Sequence, residues 1–121
     1  MRNRLVFLLA ISLAGCLSSI GCRSPHVDVS IENHTGEAVR LLEVSYPSAS
    51  FGVGSLAPEA VLHNRVQLRG DGAIKMTYTN AKGQSTEISG PALAEKQNGN
   101  LQIVLLPGGK AEFHPNLNSL Q

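Results

Sequence analysis

Tryptophan is absent and aromatic residues are scarce, three Phe and two Tyr in 121 residues. Phe7 lies in an apolar leader, so any core must be built mainly from Val, Leu and Ile around Tyr46, Phe51, Tyr78 and Phe113. Cysteine occurs only at positions 16 and 22. The ninety-nine residues after Cys22 therefore hold no disulfide and no cysteine-ligated metal. Runs of like charge are also missing, and ten basic residues stand against nine acidic ones. That balance excludes the electrostatic footprint of a nucleic-acid binder or of docking to acidic lipid.

Chemistry-bearing motifs are missing too. His26, His34, His63 and His114 form no His-x-His, His-x-x-x-His or His-Glu-x-x-His spacing. Their ordinary place is at strand ends and in loops, in water. His26 and His114, with Asp28 or Glu112 beside them, become a candidate pair if the first and last strands lie together. No serine sits in Gly-x-Ser-x-Gly, and the nearest string, Gly83-Gln84-Ser85-Thr86-Glu87, falls on a predicted hairpin. Gly52-Val53-Gly54 lacks the third glycine of a dinucleotide loop. Glu87 and Glu95 fall on different predicted elements, as solvated surface charges do. The sequence offers no active site, no cofactor motif and no metal set, and reads as a non-enzyme.

What is present begins with the first 22 residues. Arg2 and Arg4 precede the apolar run Leu5 to Ala14, which is of h-region length. The run is too short to cross a bilayer as a helix, which takes roughly 20 apolar residues. Small residues and cysteine follow twice, as Leu13-Ala14-Gly15-Cys16 and as Ser19-Ile20-Gly21-Cys22.

A cysteine behind a small residue at the end of an h-region resembles the lipobox of bacterial lipoproteins. The resemblance implies a signal helix removed at residues 1–21, a diacylglyceryl group on the cysteine, and membrane attachment through it. Cys16 has the better local context, with Leu, Ala and Gly before it. Cys22 leaves a polar start, Arg23-Ser24-Pro25, and no spare thiol for unwanted pairing in an oxidising compartment. Both remain open as lipid-attachment sites, with Cys22 favoured. Plain secretion with incidental cysteines, and a Cys16–Cys22 disulfide, are the other readings. Neither Arg23 nor Leu17 is the Asp that resembles an inner-membrane retention signal. The implied address is therefore the bacterial cell envelope, at the outer membrane facing the periplasm.

Beyond a 22–25 tether lies about 100 residues, the size of one domain. Its pattern is strand-like. Val27, Val29 and Ile31 alternate with polar residues, as do Leu62 to Leu68 and Ile74, Met76 and Tyr78. Residues 38–46 form another strand in which Leu41-Leu42 marks a bulge or burial on both faces. Leu101, Ile103 and Leu105 lead to a turn at Pro107-Gly108-Gly109 and a return strand through Ala111 and Phe113. Gly70-Asp71-Gly72 and Asn80-Ala81-Lys82-Gly83 read as hairpin turns. Pro91, a run of good helix formers and Gly99 predict one short helix near 91–98. About seven short strands predict an antiparallel β-sandwich over 26–115, with a disordered tail at 116–121. The layout is similar to Ig-like or fibronectin-type modules of bacterial envelopes, without the Cys…Trp…Cys signature. A small barrel is the alternative.

Residues 48–60 are the least regular segment, and the candidate binding element is the stretch from Tyr46 to Leu56. It places Tyr46 and Phe51 among small, flexible residues, with a short edge strand around Phe51. Loops on a rigid β scaffold concentrate binding function, and such an edge suits an extended peptide or an envelope protein. The competing role for both rings is to cap the core. Overall the sequence predicts a non-catalytic interaction or structural module on a lipid anchor. The alternative is a periplasmic small-ligand or metal carrier.

Overall fold

The computed structural model describes residues 25–119. Eight strands are present: β1 (Val27–Asn33), β2 (Val39–Tyr46), β3 (Ala49–Leu56), β4 (Val61–Val66), β5 (Gly72–Thr79), β6 (Ser85–Leu93), β7 (Gln97–Leu106) and β8 (Lys110–Ser119). They form two four-stranded sheets, ordered β4-β1-β7-β8 and β3-β2-β5-β6. Alternation sets which side chains meet between them. Val27, Val29, Ile31, Leu101, Ile103 and Leu105 from one sheet share a buried cluster with Val39, Leu42, Val44, Ile74, Met76 and Tyr78 from the other. Burying each such side chain is worth about 1.5–3 kcal/mol, so period-two patterning suffices to fix which face turns inward.

The hairpins β2–β3, β5–β6 and β7–β8 stay within a sheet, whereas the other four connections cross between sheets. Gly70-Asp71-Gly72 therefore leads across the sandwich from β4 to β5 and is not the hairpin turn its composition suggests. One pair departs from the antiparallel expectation, since β1 and β7 run parallel, with Val29 opposite Leu101 and Ile31 opposite Ile103.

The helix expected near 91–98 is strand and turn. Pro91, Ala92 and Leu93 belong to β6, and β7 begins at Gln97. Two turns of helix are marginal without packing, and here Leu93 buries its side chain from the end of a strand. The register between β5 and β6 shifts between Ala73 and Lys75, opposite Gly90 and Pro91, and an irregular stretch of an edge strand tolerates proline's missing N–H. The three residues Ala94–Lys96 then cross to the other sheet. They are held by Asp71 Oδ1 accepting from the Glu95 N–H at 2.8 Å and by Gln97 Oε1 accepting from the Ala94 N–H at 2.9 Å.

The tail is also shorter than expected. β8 runs through Pro115 and pairs with β7 as far as Ser119 opposite Gln97. Pro115 is accommodated because β8 is an edge strand. The irregular segment around Phe51 forms the full-length strand β3, which brings the count to eight. The signal helix and both cysteines lie outside the described residues, as does the tether apart from Pro25.

Asn33 closes the top of the sandwich. It is the one polar side chain fully buried among the described residues. Its Nδ2 donates to the carbonyls of Glu37 at 2.7 Å, Leu56 at 2.9 Å and Ala57 at 3.2 Å. Its Oδ1 accepts from the N–H of Thr35 at 3.0 Å and from the Thr35 hydroxyl at 2.7 Å. One side chain thus ties the β1–β2 and β3–β4 connections together. Asn33-His34-Thr35 has the spacing of a glycan acceptor, but these bonds bury the Asn33 amide.

Candidate functional site

Four strands form sheet edges: β4 and β8 in one sheet, β3 and β6 in the other. An edge strand leaves a row of backbone N–H and C=O groups unpaired, and proteins usually shield it with charge, proline or brevity. β8 carries Lys110, Glu112 and Pro115, and β6 carries Glu87 and Pro91. β4 is only six residues long and carries Arg65. β3, Ala-Ser-Phe-Gly-Val-Gly-Ser-Leu, has eight residues with no charge and no proline. It is the unshielded edge.

Local sequence explains the geometry of β3. Its hairpin with β2 turns at Pro47-Ser48 and pairs Tyr46 with Ala49, Val44 with Phe51 and Leu42 with Val53. Phe51 and Val53 point inward and are half-buried, packed on the core but open on the side beyond β3. The rings of Tyr46 and Phe51 meet at a centroid distance of 6.2 Å and an angle of 51°, so the structure brings the two predicted residues together. On the outer face, Ser50, Gly52 and Gly54 leave the strand nearly bare. A Cβ on Gly52 would come 2.3 Å from the Leu42 carbonyl oxygen, so that position has no room for a side chain.

Beside this bare strip lies a feature that sequence pattern identified only in part. The doubled leucine is a bulge: the register of β2 against β5 shifts between Arg40 and Glu43. Leu41 takes a left-handed backbone at φ 51°, while Leu42 returns to the core at 1% exposure. Leu41 is 67% exposed. A leucine in the left-handed region costs roughly 1 kcal/mol, and such strain tends to gather at functional surfaces. Leu41, Glu43, Gly52, Val53, Gly54 and Thr77 border a shallow hollow of about 410 Å³. The signal missed in the sequence is the absence of any charge from Val44 to Pro58.

The outer face of the other sheet is polar. Arg65, Asp28, Asn100 and Asn116 form one row across its four strands, and His63, Ser30, Gln102 and His114 form the next. These rows line an open hollow of about 800 Å³. Arg65 Nε lies 2.9 Å from Asp28 Oδ1, an exposed pair worth little. His34 Nε2 lies 3.2 Å from Glu32 Oε1, whose other oxygen accepts from Gln102 Nε2. His114 Nε2 lies 3.4 Å from Glu112 Oε1.

β7 stands between β1 and β8, so the proposed meeting of His26 and His114 does not occur as a strand-to-strand pair. His26 instead accepts the Gly99 N–H on its carbonyl oxygen at 3.2 Å. Among the described residues no three His, Cys, Asp or Glu side chains gather as a metal site. Tyr78 of β5 packs in the core between the sheets. Burial pushes its pKa above the usual 10, opposed by a side-chain hydrogen bond with Thr86.

What the geometry defines is a two-sheet, all-β sandwich domain with one unshielded edge. No family model matches the chain. No curated protein matches it either. Among solved structures, the NMR structure of a protein from Eubacterium rectale is similar, with a TM-score of 0.54 at 14% identity. The match covers 74% of this chain and 86% of that one, and at such identity the likeness is one of fold.

Proposed function

We propose that this chain is a non-catalytic envelope lipoprotein, a β-sandwich interaction module held on a membrane by an acylated N-terminal cysteine. The observation that carries the interaction role is the β3 edge, uncharged and proline-free where the other three edges are shielded. An extended strand added there would gain main-chain hydrogen bonds, and Phe51 and Val53 would give it apolar contacts. The lipid role rests on the Cys16 and Cys22 contexts alone, and the outer membrane facing the periplasm is its proposed address. In architecture the domain is related to Ig-like modules, but not in strand order. Its second and third strands share a sheet, whereas in an immunoglobulin constant domain they lie in different sheets.

Phe51→Ser tests this reading. Loss of captured partner from detergent-solubilised membranes, with the melting temperature lowered by no more than about 5 °C, supports a binding edge. Undiminished capture with a much lower melting temperature would return Phe51 to the core and remove the edge from the argument. A small-ligand carrier is the second reading, favoured by the hollow lined by His63, Gln102, Asn100 and His114. Native mass spectra showing a retained small molecule would support it.

A further inference from the structure

We infer that the strand added to β3 is β3 of a second copy, paired antiparallel about a two-fold axis at Gly52. This rests on the interaction-module reading and names its partner.

A two-fold axis through an antiparallel strand pair sets residue 52−n opposite residue 52+n of the copy, so side chains on the same face meet. Centred on Gly52, Phe51 lies opposite Val53 of the copy and Val53 opposite its Phe51, while Ser50 lies opposite Gly54. Aromatic residues against β-branched ones are favourable cross-strand pairs. These are also the two inward side chains that β3 leaves half-buried. On the outer face Gly52 meets Gly52, and no side chain obstructs the approach.

Charge decides between edges. A strand that pairs with itself brings its own charges close to their copies, and like charges directly opposed are destabilising. β4, β6 and β8 each carry charge, and β3 carries none. Self-pairing would join the two β3-β2-β5-β6 sheets into one of eight strands. An eight-residue edge makes a small interface, but copies tethered to one membrane meet at a raised effective concentration.

The outer-face positions 50 and 54 allow a register-specific test, since both are exposed and a Cβ on Gly54 meets nothing within 4 Å. Sedimentation equilibrium of the full chain in detergent would be measured for the parent, for three double variants and for a mixture of two of them. Ser50→Lys with Gly54→Lys, and Ser50→Glu with Gly54→Glu, each oppose like charges twice and should weaken association about tenfold. Mixing those two proteins, or making Ser50→Lys with Gly54→Glu in one chain, should restore it. Melting temperatures establish that every variant folds.

A wild-type chain that stays monomeric at all concentrations would overturn the proposal. So would a dimer indifferent to these charges. If the chain is monomeric yet loses a captured protein on Phe51→Ser, the edge belongs to a strand from another protein and only the second-copy inference falls. Acylation is read separately by intact mass, so failure of the anchor is distinguishable from failure of the dimer.

Discussion

Asn33 shows how much of this fold hangs on one polar side chain. Its amide group reaches carbonyls on two connections and accepts from Thr35, and its backbone N–H donates to Ala60 O at 3.0 Å. Asn33→Ala strands buried carbonyls without partners, and each buried unsatisfied group costs about 1–3 kcal/mol. The variant is expected to lose about 3 kcal/mol and to melt at least about 10 °C lower. Asn33→Asp should do no better, because a carboxylate would face the carbonyls that Nδ2 now serves. Equal melting of Asn33→Ala and the parent would show the network to be dispensable.

Tyr78 supplies a pH dependence. Burial raises its pKa in the folded state, so above pH 10 the unfolded chain ionises more readily than the folded one. Its contribution to stability is present in full below pH 10 and is lost as pH rises through the folded pKa. Spectrophotometric titration should show one tyrosine ionising late. Tyr78→Phe should flatten this part of the alkaline loss of stability, and an unchanged alkaline limb would count against the assignment.

At the scale of elements, close packing between sheet edges gives the next expectation. A Cβ on Gly90 of β6 would fall 2.5 Å from the Phe113 ring of β8 and 2.7 Å from Ile74. Gly90→Ala must therefore displace the ring, at an expected cost of about 1–3 kcal/mol, measured by chemical denaturation. Full stability in that variant would mean that Phe113 moves freely.

Elements also show where sequence sufficed. Val27, Val29 and Ile31, and likewise Ile74, Met76 and Tyr78, are buried as alternation implies, because one inward face is the strongest local signal a strand carries. The doubled leucine marked the bulge for the same reason, since one extra residue breaks the period. Ala92 to Gln97 misled because their helix propensity, a few tenths of a kcal/mol per residue, loses to burial of Leu93 and pairing with β5. The parallel β1–β7 pair left no local trace, as partner choice between distant strands depends on four crossings between sheets. In the candidate site, Tyr46 and Phe51 were legible as aromatics in a flexible run. Leu41's exposure and the contrast among the four edges needed the topology.

For the whole molecule, the proposed lipid anchor makes the distance from cysteine to domain the decisive quantity. β1 begins at Val27, five residues beyond Cys22 and eleven beyond Cys16. At most ~3.5 Å per residue gives a leash of about 17 Å from Cys22 and about 38 Å from Cys16. With the proposed anchor at Cys22, the shorter leash would keep the domain against the membrane and confine its edges to a thin layer, where weak pairing between copies is most favoured. A single acyl chain holds a protein only marginally, whereas a diacylglyceryl group retains it. Expressed in a bacterial host, the parent chain is expected in the membrane fraction with a lipid-sized addition to its mass. Cys22→Ser should abolish both, and Cys16→Ser should leave both intact. The reverse pattern would move the anchor to Cys16 and lengthen the leash. A soluble, unacylated parent would end the tethered reading while leaving the β3 edge to be judged on its own.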